Sequence, residues 1–350
     1  MNPFRELELA WRDADPARIE RYATAALELD QTLPEPHFQQ GVARLGLGNN
    51  TGALRSLEAC IERQPSYPLL QRARTMAALA QVRLDPGEPV CEQLARDALP
   101  VSVIVCSITP EKFERVHTNY STLLRDIPHE IIGIHDARSL SEGYNRGIRQ
   151  AKGEILVFSH DDIEIVSPDF AAKVINRLAQ FDVIGVAGTD RLCGAVWTDA
   201  GWPHVFGQIG APARGAHIYV TNFVMRGAWA TPMQALDGVF FAARREVVEK
   251  IGFDEATFDG WHLYDLDFTY SAARSNFSLA VCNDLMVVHH SSGSFGEAWL
   301  PYARKFLSKH LNSSGERYAL TQLELCGVET QSAEEWRSLT SYMLSDSRSP

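Results

Sequence analysis

The sequence of 350 residues lacks the cysteine spacing that is typical of small metal-binding modules and of disulfide scaffolds. It contains no CxxC pair, and several cysteines lie inside apolar runs such as VSVIVC and LAVC. A cysteine in such a run is usually a small buried apolar residue. The six cysteines are Cys60, Cys91, Cys106, Cys193, Cys282 and Cys326. We therefore expect free thiols in a reducing compartment, and we place the protein in the cytoplasm.

Long hydrophobic runs and basic clusters are also missing. No uninterrupted apolar run approaches the roughly 18 residues that predict a membrane span. The first residues, MNPFRELELAWRDAD, are charged and have no apolar core, so they do not resemble a signal peptide. Lys and Arg number 33 against 44 Asp and Glu, which gives a net charge of −11. We therefore expect no membrane span and no nucleic-acid partner, although this charge is compatible with a nucleotide held through a metal.

The glycine fingerprint of dinucleotide-binding enzymes is absent too. Residues 101–106, VSVIVC, have the pattern of a buried first strand, and Ser107-Ile108-Thr109-Pro110 follows them. A dinucleotide site would require a GxGxxG turn at this point, because only glycine lets the backbone approach the pyrophosphate. This disfavours a dinucleotide-dependent oxidoreductase.

Residues 1–95 have the composition and spacing of helices. Gly41, Ala53, Leu57, Cys60 and Pro65 fall at the spacing of a tetratricopeptide repeat, in which small residues let two antiparallel helices approach. One repeat length of about 34 residues earlier, the chain again has small or apolar residues. These are Ile19, Ala23 and Ala26. The region therefore resembles about two to two and a half such repeats, with a plain helical bundle as the alternative. Such an array predicts binding of a peptide, a partner protein or a second copy of the chain.

A proline-rich stretch at residues 85–100 separates this region from an alternation of strands and helices. The alternation is typical of a mostly parallel α/β sheet with helical crossovers. Residues 188–234 lose the periodicity and have the composition of long functional loops. We therefore predict three parts: a tetratricopeptide-like helical domain (1–95), an α/β domain (96–312) and a C-terminal helical extension (313–350).

The stretch GEILVFSHDDIEI at residues 153–165 is the main candidate for a functional site. A short apolar strand stops at His160-Asp161-Asp162, and an apolar residue follows. Open α/β sheets bind ligands beyond the carboxyl ends of their strands. Two adjacent acids there can hold a hard cation and, through it, a diphosphate. The alternative is a solvated turn, where Asp is common.

Six features in a fixed order now show a resemblance. They are VSVIVC, YNRGIRQAKGEILVF, HDD, DGVFFAARREVVEKIGFDE, YDLD and HHSSGS. From residue 101 to about 296 the chain resembles a family-two-like glycosyltransferase of the GT-A fold, whose DxD motif corresponds to HDD here. Three features depart from that pattern: His160 replaces the first aspartate, Tyr264 replaces the usual acid before Asp265, and His135-Asp136-Ala137-Arg138 replaces Asp-Asp-Gly-Ser.

The resemblance implies a divalent metal, Mn²⁺ or Mg²⁺, and a nucleotide-diphosphate sugar as donor, with a UDP-sugar favoured. It implies Asp162 as the main carboxylate ligand. His289 and His290 are the candidates that would close the metal site from a distant strand end. Because side chains alternate along a strand, only one of them can easily face the site, and His289 is slightly favoured. The role of His160 stays unassigned.

The resemblance also implies Asp265 as the base that deprotonates the acceptor hydroxyl, with inversion expected at the anomeric carbon. Asp267 and Asp259 compete for this role, and favourable charge at a helix N-terminus is the structural alternative.

Trp261 is one of three tryptophans that are candidates for stacking on a sugar. The expected nucleotide and sugar contacts are Cys106, Ser107 and Asp136 at the base, Asp161 at the ribose or a metal-bound water, Asn145 and Arg146 on the helix facing this edge, and Asp237 and Gly238 under the sugar.

A second interpretation is a non-catalytic helical-repeat adaptor that carries a degenerate transferase domain. The departures at His160 and Tyr264 leave this interpretation open. The acceptor is open as well. The repeats favour a protein or peptide acceptor or a partner that brings one, and a homodimer contact is the other use that they suggest.

Overall fold

The computed structural model describes residues 2–89, 91–95, 98–291, 296–311 and 326–345. The remainder of the predicted C-terminal extension, at 312–325 and 346–350, lies outside the described residues, as does part of the HHSSGS motif. The chain forms two compact units. Unit 1 comprises the described residues of 1–89, 219–222 and 324–349, and unit 2 those of 90–218 and 223–323. None of the helices in the described ranges is long and apolar enough to cross a membrane. The domain boundaries at 95/96 and 312/313 stay predictions.

The helices of the described ranges are named α1 to α12 in chain order. They are Pro3–Arg12, Pro16–Leu29, Pro34–Gly46, Asn50–Glu62, Tyr67–Leu84, Pro110–Leu123, Leu140–Gln150, Phe170–Leu178, Arg245–Ile251, Tyr264–Arg274, Leu300–His310 and Ala333–Ser345. A short 3-10 helix spans Trp197–Ala200. Five of the first six begin with proline at the first or second position, where its missing N–H has no intrahelical partner to lose.

The strands of the same ranges are named β1 to β14. They are Val101–Cys106, His129–Ile134, Ile155–Ser159, Ile163–Ile165, Val183–Gly185, Ala187–Thr189, Val205–Pro212, Ile218–Asn222, Trp229–Ala230, Ala235–Leu236, Phe240–Arg244, Leu279–Cys282, Val287–His289 and Cys326–Thr330. The strands β6 to β9 fall in residues 188–234 or at their edge, a region predicted as loops.

Glycine explains part of this difference in residues 188–234. Gly207 lies inside β7 with a φ of 103°, and a β-carbon built there would lie 2.1 Å from the Val186 carbonyl oxygen. Only glycine permits such a close backbone approach within a strand. Because a glycine supplies no apolar side chain, the alternation that would identify β7 from the sequence is interrupted.

Unit 1 contains α1 to α5, packed successively along the chain. Asp15 and Asn49 cap α2 and α4, since their side chains accept hydrogen bonds from Arg18 and Gly52 N–H. A β-carbon on Gly41 of α3 would lie 2.5 Å from Leu57 of α4. The small residues predicted to permit close helix packing therefore do lie at a close contact. Whether the helices are true tetratricopeptide repeats stays a prediction.

The rest of unit 1 comes from distant parts of the sequence. The strand β14 pairs with β8, and α12 follows it. Arg83 Nε of α5 lies 2.8 Å from Glu335 Oε1 of α12, and both side chains are largely buried. The described part of the predicted C-terminal extension is therefore a strand and a helix, where the sequence predicted helix alone.

Unit 2 is built on a seven-stranded sheet with the order β2-β1-β3-β11-β5-β12-β9. The strands β2, β1 and β3 run parallel, and so do β5 and β12, while β11 runs antiparallel between these two groups. The edge strand β9 is also antiparallel. The predicted α/β domain with flanking helices is confirmed, and its main sheet is mixed, because three of the six strand pairs are parallel and three are antiparallel. A second path of five strands, β10-β6-β7-β13-β4, belongs to the same unit.

Apolar residues of β1 and β3 fill the core of unit 2 on both faces of the main sheet. Val103 and Val157 face one cluster, and Ile104 and Phe158 face the other. All four side chains are fully buried. The continuous apolar runs of these strands follow from this arrangement, because a sheet covered on both faces needs apolar residues at successive positions.

Candidate active site

The candidate site lies where three strands of the main sheet end or begin side by side. Parallel pairing aligns Val105 of β1 with Ser159 of β3, and antiparallel pairing aligns Phe240 of β11 with the same Ser159. The residues that follow β1 and β3 therefore meet those that precede β11. The backbone N–H of His160 donates to the Val239 carbonyl over 3.3 Å. The HDD motif thus lies at the carboxyl edge where open α/β sheets bind ligands.

The HDD motif is also the link between two sheets. It connects Ser159, the last residue of β3, to Ile163, the first residue of β4. Ile163 pairs with His289 of β13, and the N–H of His290 donates to the Asp162 carbonyl over 2.9 Å. The end of β13 is therefore fixed by backbone bonds directly beside the motif.

The side chains of His160, Asp162 and His289 converge at this point. His289 Nε2 lies 3.3 Å from Asp162 Oδ1 and 3.3 Å from His160 Nδ1. His160 Nδ1 lies 3.9 Å from Asp162 Oδ1, and Ser291 Oγ lies 3.2 Å from His289 Nε2. One ligand atom from each of the three lies within 4.8 Å of the others. Among the described residues this is the one such group of His, Cys, Asp or Glu that could hold a metal ion.

The pKa shifts of Asp162 and His160 favour the protonation states that bind a cation. The hydrogen bond from His289 holds the pKa of Asp162 well below its ordinary value. Burial lowers the pKa of His160, and the neighbouring His289 lowers it further. Asp162 is therefore a carboxylate and His160 a neutral imidazole near neutral pH. Neutral imidazole and carboxylate are the forms of these side chains that bind divalent metals.

His290 lies outside this group. Its Nε2 is 3.9 Å from Glu164 Oε2, and both side chains are exposed. The separation follows from the alternation of side chains at the end of β13, which directs successive residues to opposite sides. Of the two histidines considered from the sequence, only His289 has its side chain beside the Asp162 carboxylate.

Asp161 points to a different neighbour from Asp162. Its Oδ2 accepts a hydrogen bond from Ser107 Oγ over 2.6 Å. Lys112, in the first turn of α6, reaches both acids, with Nζ 3.6 Å from Asp161 Oδ1 and 3.4 Å from Asp162 Oδ2. The Lys112 ammonium therefore partly neutralises the acidic pair that follows β3.

Asp265 lies in the first turn of α10, against Gly238. A β-carbon on Gly238 would lie 2.6 Å from both Asp265 Oδ2 and Tyr264 Oη. Only a residue without a β-carbon fits at this close approach, and the expected position of Gly238 under the sugar stays a prediction. Directly before this turn, Leu263 adopts a left-handed φ of 64°. Such a backbone is strained for a bulky residue, and the surrounding fold has to hold it in place.

The environment of Asp265 raises its pKa to about 7, because the protein desolvates the carboxyl and the Asp237 carboxylate lies nearby. The Asp237 carboxylate accepts two hydrogen bonds. Its Oδ2 accepts from Trp197 Nε1 over 2.7 Å and its Oδ1 accepts from the Val239 N–H over 2.9 Å. The two acids therefore differ: Asp237 is held by hydrogen bonds, whereas Asp265 titrates near neutral pH.

The two competing acids are tied to α11. Asp267 Oδ1 lies 2.6 Å from His310 Nε2 and 2.7 Å from Lys309 Nζ, and the Asp267 side chain is buried. Asp259 Oδ1 lies 2.8 Å from Lys305 Nζ. Both carboxylates are engaged in ion pairs, so within the described part of the chain Asp265 is the acid of the three without a cationic partner.

A cavity of about 380 Å³ opens beside the acids. Its polar end is formed by Ser107 and the HDD motif, and Ser291 also borders it. Its apolar part is formed by Ile108, Ile134, Leu140 and Trp261, together with Cys106. Of these, Ile108 and Trp261 are well exposed. One cavity thus offers anionic ligands for a cation next to apolar surface for a flat or ring-shaped group.

Three predicted contacts, Asp136, Asn145 and Arg146, are not among the residues that line this cavity. Asp136 is exposed and its Oδ1 lies 2.8 Å from Arg146 Nη2, which holds the pKa of Asp136 below its ordinary value. Asn145 exchanges two hydrogen bonds with the Phe253 backbone, at 2.8 and 3.1 Å. Cys106 does border the cavity, and burial raises the pKa of its thiol to about 12.

Three further site residues were not assigned from the sequence: His160, Tyr264 and Lys112. His160 and Tyr264 stood out as departures from the resembled family, but nothing in the sequence joined them. Their side chains lie 3.0 Å apart, His160 Nε2 to Tyr264 Oη. The sequence could have identified Lys112 as a candidate, because it lies in the first turn of the helix that follows β1.

A family comparison covers most of unit 2. Residues 102–310 match the model of a family described as "Glycosyltransferase like family". A search of the curated proteins finds no match. Among solved structures, the chain is similar to the mannosyltransferase PcManGT from Pyrobaculum calidifontis in complex with GDP-Man and Mn²⁺, at 15% identity and a TM-score of 0.42, covering 83% of this chain and 79% of that one.

Two other solved structures are similar over shorter stretches. GalNAc-T7 with UDP, GalNAc and Mn²⁺ matches at 14% identity and a TM-score of 0.36, covering 60% of this chain and 48% of that one. A197 from STIV matches at 14% identity and a TM-score of 0.33, covering 55% of this chain and 86% of that one. Because the family model spans more than half of the sequence, the chain belongs to this glycosyltransferase-like family.

Proposed function

We propose that unit 2 transfers a sugar from a nucleotide-diphosphate sugar to an acceptor hydroxyl, with the help of a divalent metal. One observation carries the proposal. A His–Asp–His group borders a cavity and is hydrogen-bonded, through Tyr264, to the Gly238 turn, against which Asp265 packs. A cation site and an acid that titrates near pH 7 are therefore parts of one connected structure.

The metal would be held by His160, Asp162 and His289. The residues fit such a group, because two imidazole nitrogens and a carboxylate oxygen already face one another within ligand spacing. Imidazole suits transition metals better than it suits Mg²⁺, which prefers oxygen ligands, so Mn²⁺ is the favoured ion. When bound, the metal supplies positive charge that stabilises the departing diphosphate.

Lys112 and Asp161 would position the donor beside the metal. Lys112 Nζ lies between the two acids, where a diphosphate would arrive with its negative charge. A second cation at this point adds to the stabilisation of the leaving group. Asp161, oriented by Ser107, would accept from a ribose hydroxyl or a metal-bound water. Trp261 and Ile108 would cover the apolar faces of the donor in the same cavity.

Asp265 would act as the general base. A base works best when its pKa is near the working pH, because it is then ionised yet still able to take a proton. The pKa of about 7 places Asp265 in this range, and its carboxyl contacts the Gly238 turn that we place under the sugar. Removal of the acceptor proton on the face opposite the leaving diphosphate would give inversion. A UDP-sugar remains our favoured donor.

The helices of unit 1 would bind a protein or peptide acceptor, or a partner that carries one. This part of the proposal is supported by the spacing of the small residues and by the close packing of α3 on α4 at Gly41. A cytoplasmic location and a possible homodimer contact through the same helices belong to the proposal as well.

A thermal-shift screen tests the function directly. The melting temperature of the full chain is measured with UDP-, GDP- and dTDP-sugars, each with Mn²⁺, with Mg²⁺ and with EDTA. A ligand that binds only the folded state raises the melting temperature. We expect a rise for one donor that depends on Mn²⁺. No metal-dependent rise with any donor, together with no hydrolysis of the same donors, would favour the non-catalytic adaptor instead.

A further inference from the structure

The hydrogen bonds on the metal-facing side of His160 specify which of its nitrogens carries the proton. Asp162 Oδ1 is a carboxylate oxygen that only accepts, and His289 donates a hydrogen bond to this carboxylate, so the hydrogen lies on His289 Nε2, 3.3 Å from Asp162 Oδ1, in the metal-free protein. The same His289 Nε2 faces His160 Nδ1 over 3.3 Å. Two N–H groups cannot donate to each other, and therefore His160 Nδ1 presents its lone pair to the group.

The bonds on the opposite side of His160 give the same answer independently. The Gly238 carbonyl only accepts, and Tyr264 Oη donates to it over 3.3 Å. The single phenol hydrogen is then used. Tyr264 Oη must accept from His160 Nε2, which lies 3.0 Å away. Both ends of this chain of bonds therefore require a hydrogen on Nε2 and none on Nδ1.

We propose that Tyr264 is a positioning residue that fixes the tautomer and the ring orientation of His160, so that His160 Nδ1 is preset as a metal ligand. The inference rests on the proposed function, because it deepens the metal site described there. A histidine ligand commonly donates its other ring N–H to a fixed acceptor, and loss of that acceptor weakens the metal site.

The surroundings of Tyr264 suit this role. The Tyr264 side chain is 4% exposed, and its ring packs against the rings of Tyr144 and Phe253, with centroids 5.6 and 6.4 Å away. The phenol oxygen therefore has little freedom to move away from His160. The two positions at which this chain departs from the resembled motifs are thus direct hydrogen-bond partners, which suggests that each departure requires the other.

The first test reads the tautomer without any metal. The ¹⁵N-histidine-labelled protein is studied by long-range ¹H–¹⁵N NMR in EDTA, and the His160 signals are assigned by their loss in His160→Gln. We expect the Nε2–H tautomer of His160 in the wild type and a loss of that preference in Tyr264→Phe. An Nδ1–H tautomer of His160 in the wild type would overturn the inference, even if Tyr264→Phe could not be purified.

The second test measures Mn²⁺ affinity by calorimetry. Tyr264→Phe removes one oxygen atom, and we expect about 10- to 100-fold weaker binding, the usual effect of removing the partner of a histidine ligand. Tyr270→Phe is the matched control, because Tyr270 lies on the same helix and packs against Phe306 and His310, away from His160. We expect its affinity to stay within about twofold of the wild type.

The two tests distinguish a failure of the proposed role of Tyr264 from a failure of the proposed metal site. Equal Mn²⁺ affinity in Tyr264→Phe and the wild type, with an unchanged His160 tautomer, contradicts the role of Tyr264 alone. A wild type that binds no Mn²⁺ contradicts the proposed metal site, and the predicted role of Tyr264 as a metal-site residue fails with it. In that case the tautomer measurement still reports whether Tyr264 orients His160.

Discussion

The desolvated carboxyl of Asp265 should make the folded protein less stable at neutral pH than a variant that cannot ionise there. The pKa of this group is about 7 in the folded protein and near 3.8 in the unfolded chain. A pKa raised by folding means that the folded state holds the proton more tightly. The stabilisation is therefore complete below pH 3.8 and is lost as the pH rises through 7.

The size of the effect follows from the same values. A difference of about three pKa units corresponds to roughly 4 kcal/mol of unfolding free energy at about 1.4 kcal/mol per unit. Because the Asp265 side chain is partly open to solvent, we discount this figure to about 2 to 4 kcal/mol. Asp265→Asn keeps the shape of the protonated acid. We expect it to be more stable than the wild type by this amount at pH 8, and nearly equal to it at pH 4.

Urea unfolding in EDTA, followed by circular dichroism from pH 4 to pH 8.5, measures the difference. Asp267→Asn is the matched control on the same helix turn. It breaks the contacts of a buried carboxylate with Lys309 and His310, so it should lower the stability at pH 8. A wild type and an Asp265→Asn variant of equal stability at every pH would refute the description of Asp265 as a desolvated acid.

The remaining predictions concern binding and rate. His289→Ala should weaken Mn²⁺ binding at least about tenfold while His290→Ala leaves it unchanged, as read by calorimetry, because only His289 reaches Asp162. Equal losses in both variants would contradict this assignment. Lys112→Met should weaken nucleotide-diphosphate affinity by about 10- to 100-fold, since it removes a charge-assisted bond, and Lys112→Arg should largely restore it. The single-turnover transfer rate should rise with pH through about 7 as Asp265 ionises, and a flat profile there would argue against Asp265 as the base.

Much of the sheet edge could be predicted because its signals are local. The apolar runs of β1 and β3 need burial on both faces, and each ends where polar residues begin. Once these strands are paired in parallel, Ser107 and the HDD motif lie side by side, because each follows the end of one of the two strands. The choice between His289 and His290 needed one more fact, the register of β13 against Ile163, which only the folded structure supplies.

The bonds that connect the site could not be predicted in the same way. The His160 and Tyr264 side chains are separated by 104 residues in the sequence, and their contact depends on how α10 packs beneath the main sheet. Asn145 was expected to face the nucleotide because of its place on α7. It bonds instead to the backbone at Phe253, a partner 108 residues away that no local pattern indicates.

The link between β3 and β4 has a mechanical consequence. A cation bound by His160, Asp162 and His289 would cross-link two chain segments that are 129 residues apart. Closing so long a loop removes conformational freedom mainly from the unfolded chain. The bound ion would therefore stabilise the folded protein, and this stabilisation would be lost when the ion is removed. The resistance of unit 2 to unfolding would then rise and fall with the supply of the metal. Removal of the metal by a chelator would then lower the stability of the strands that carry the candidate ligands and the HDD motif.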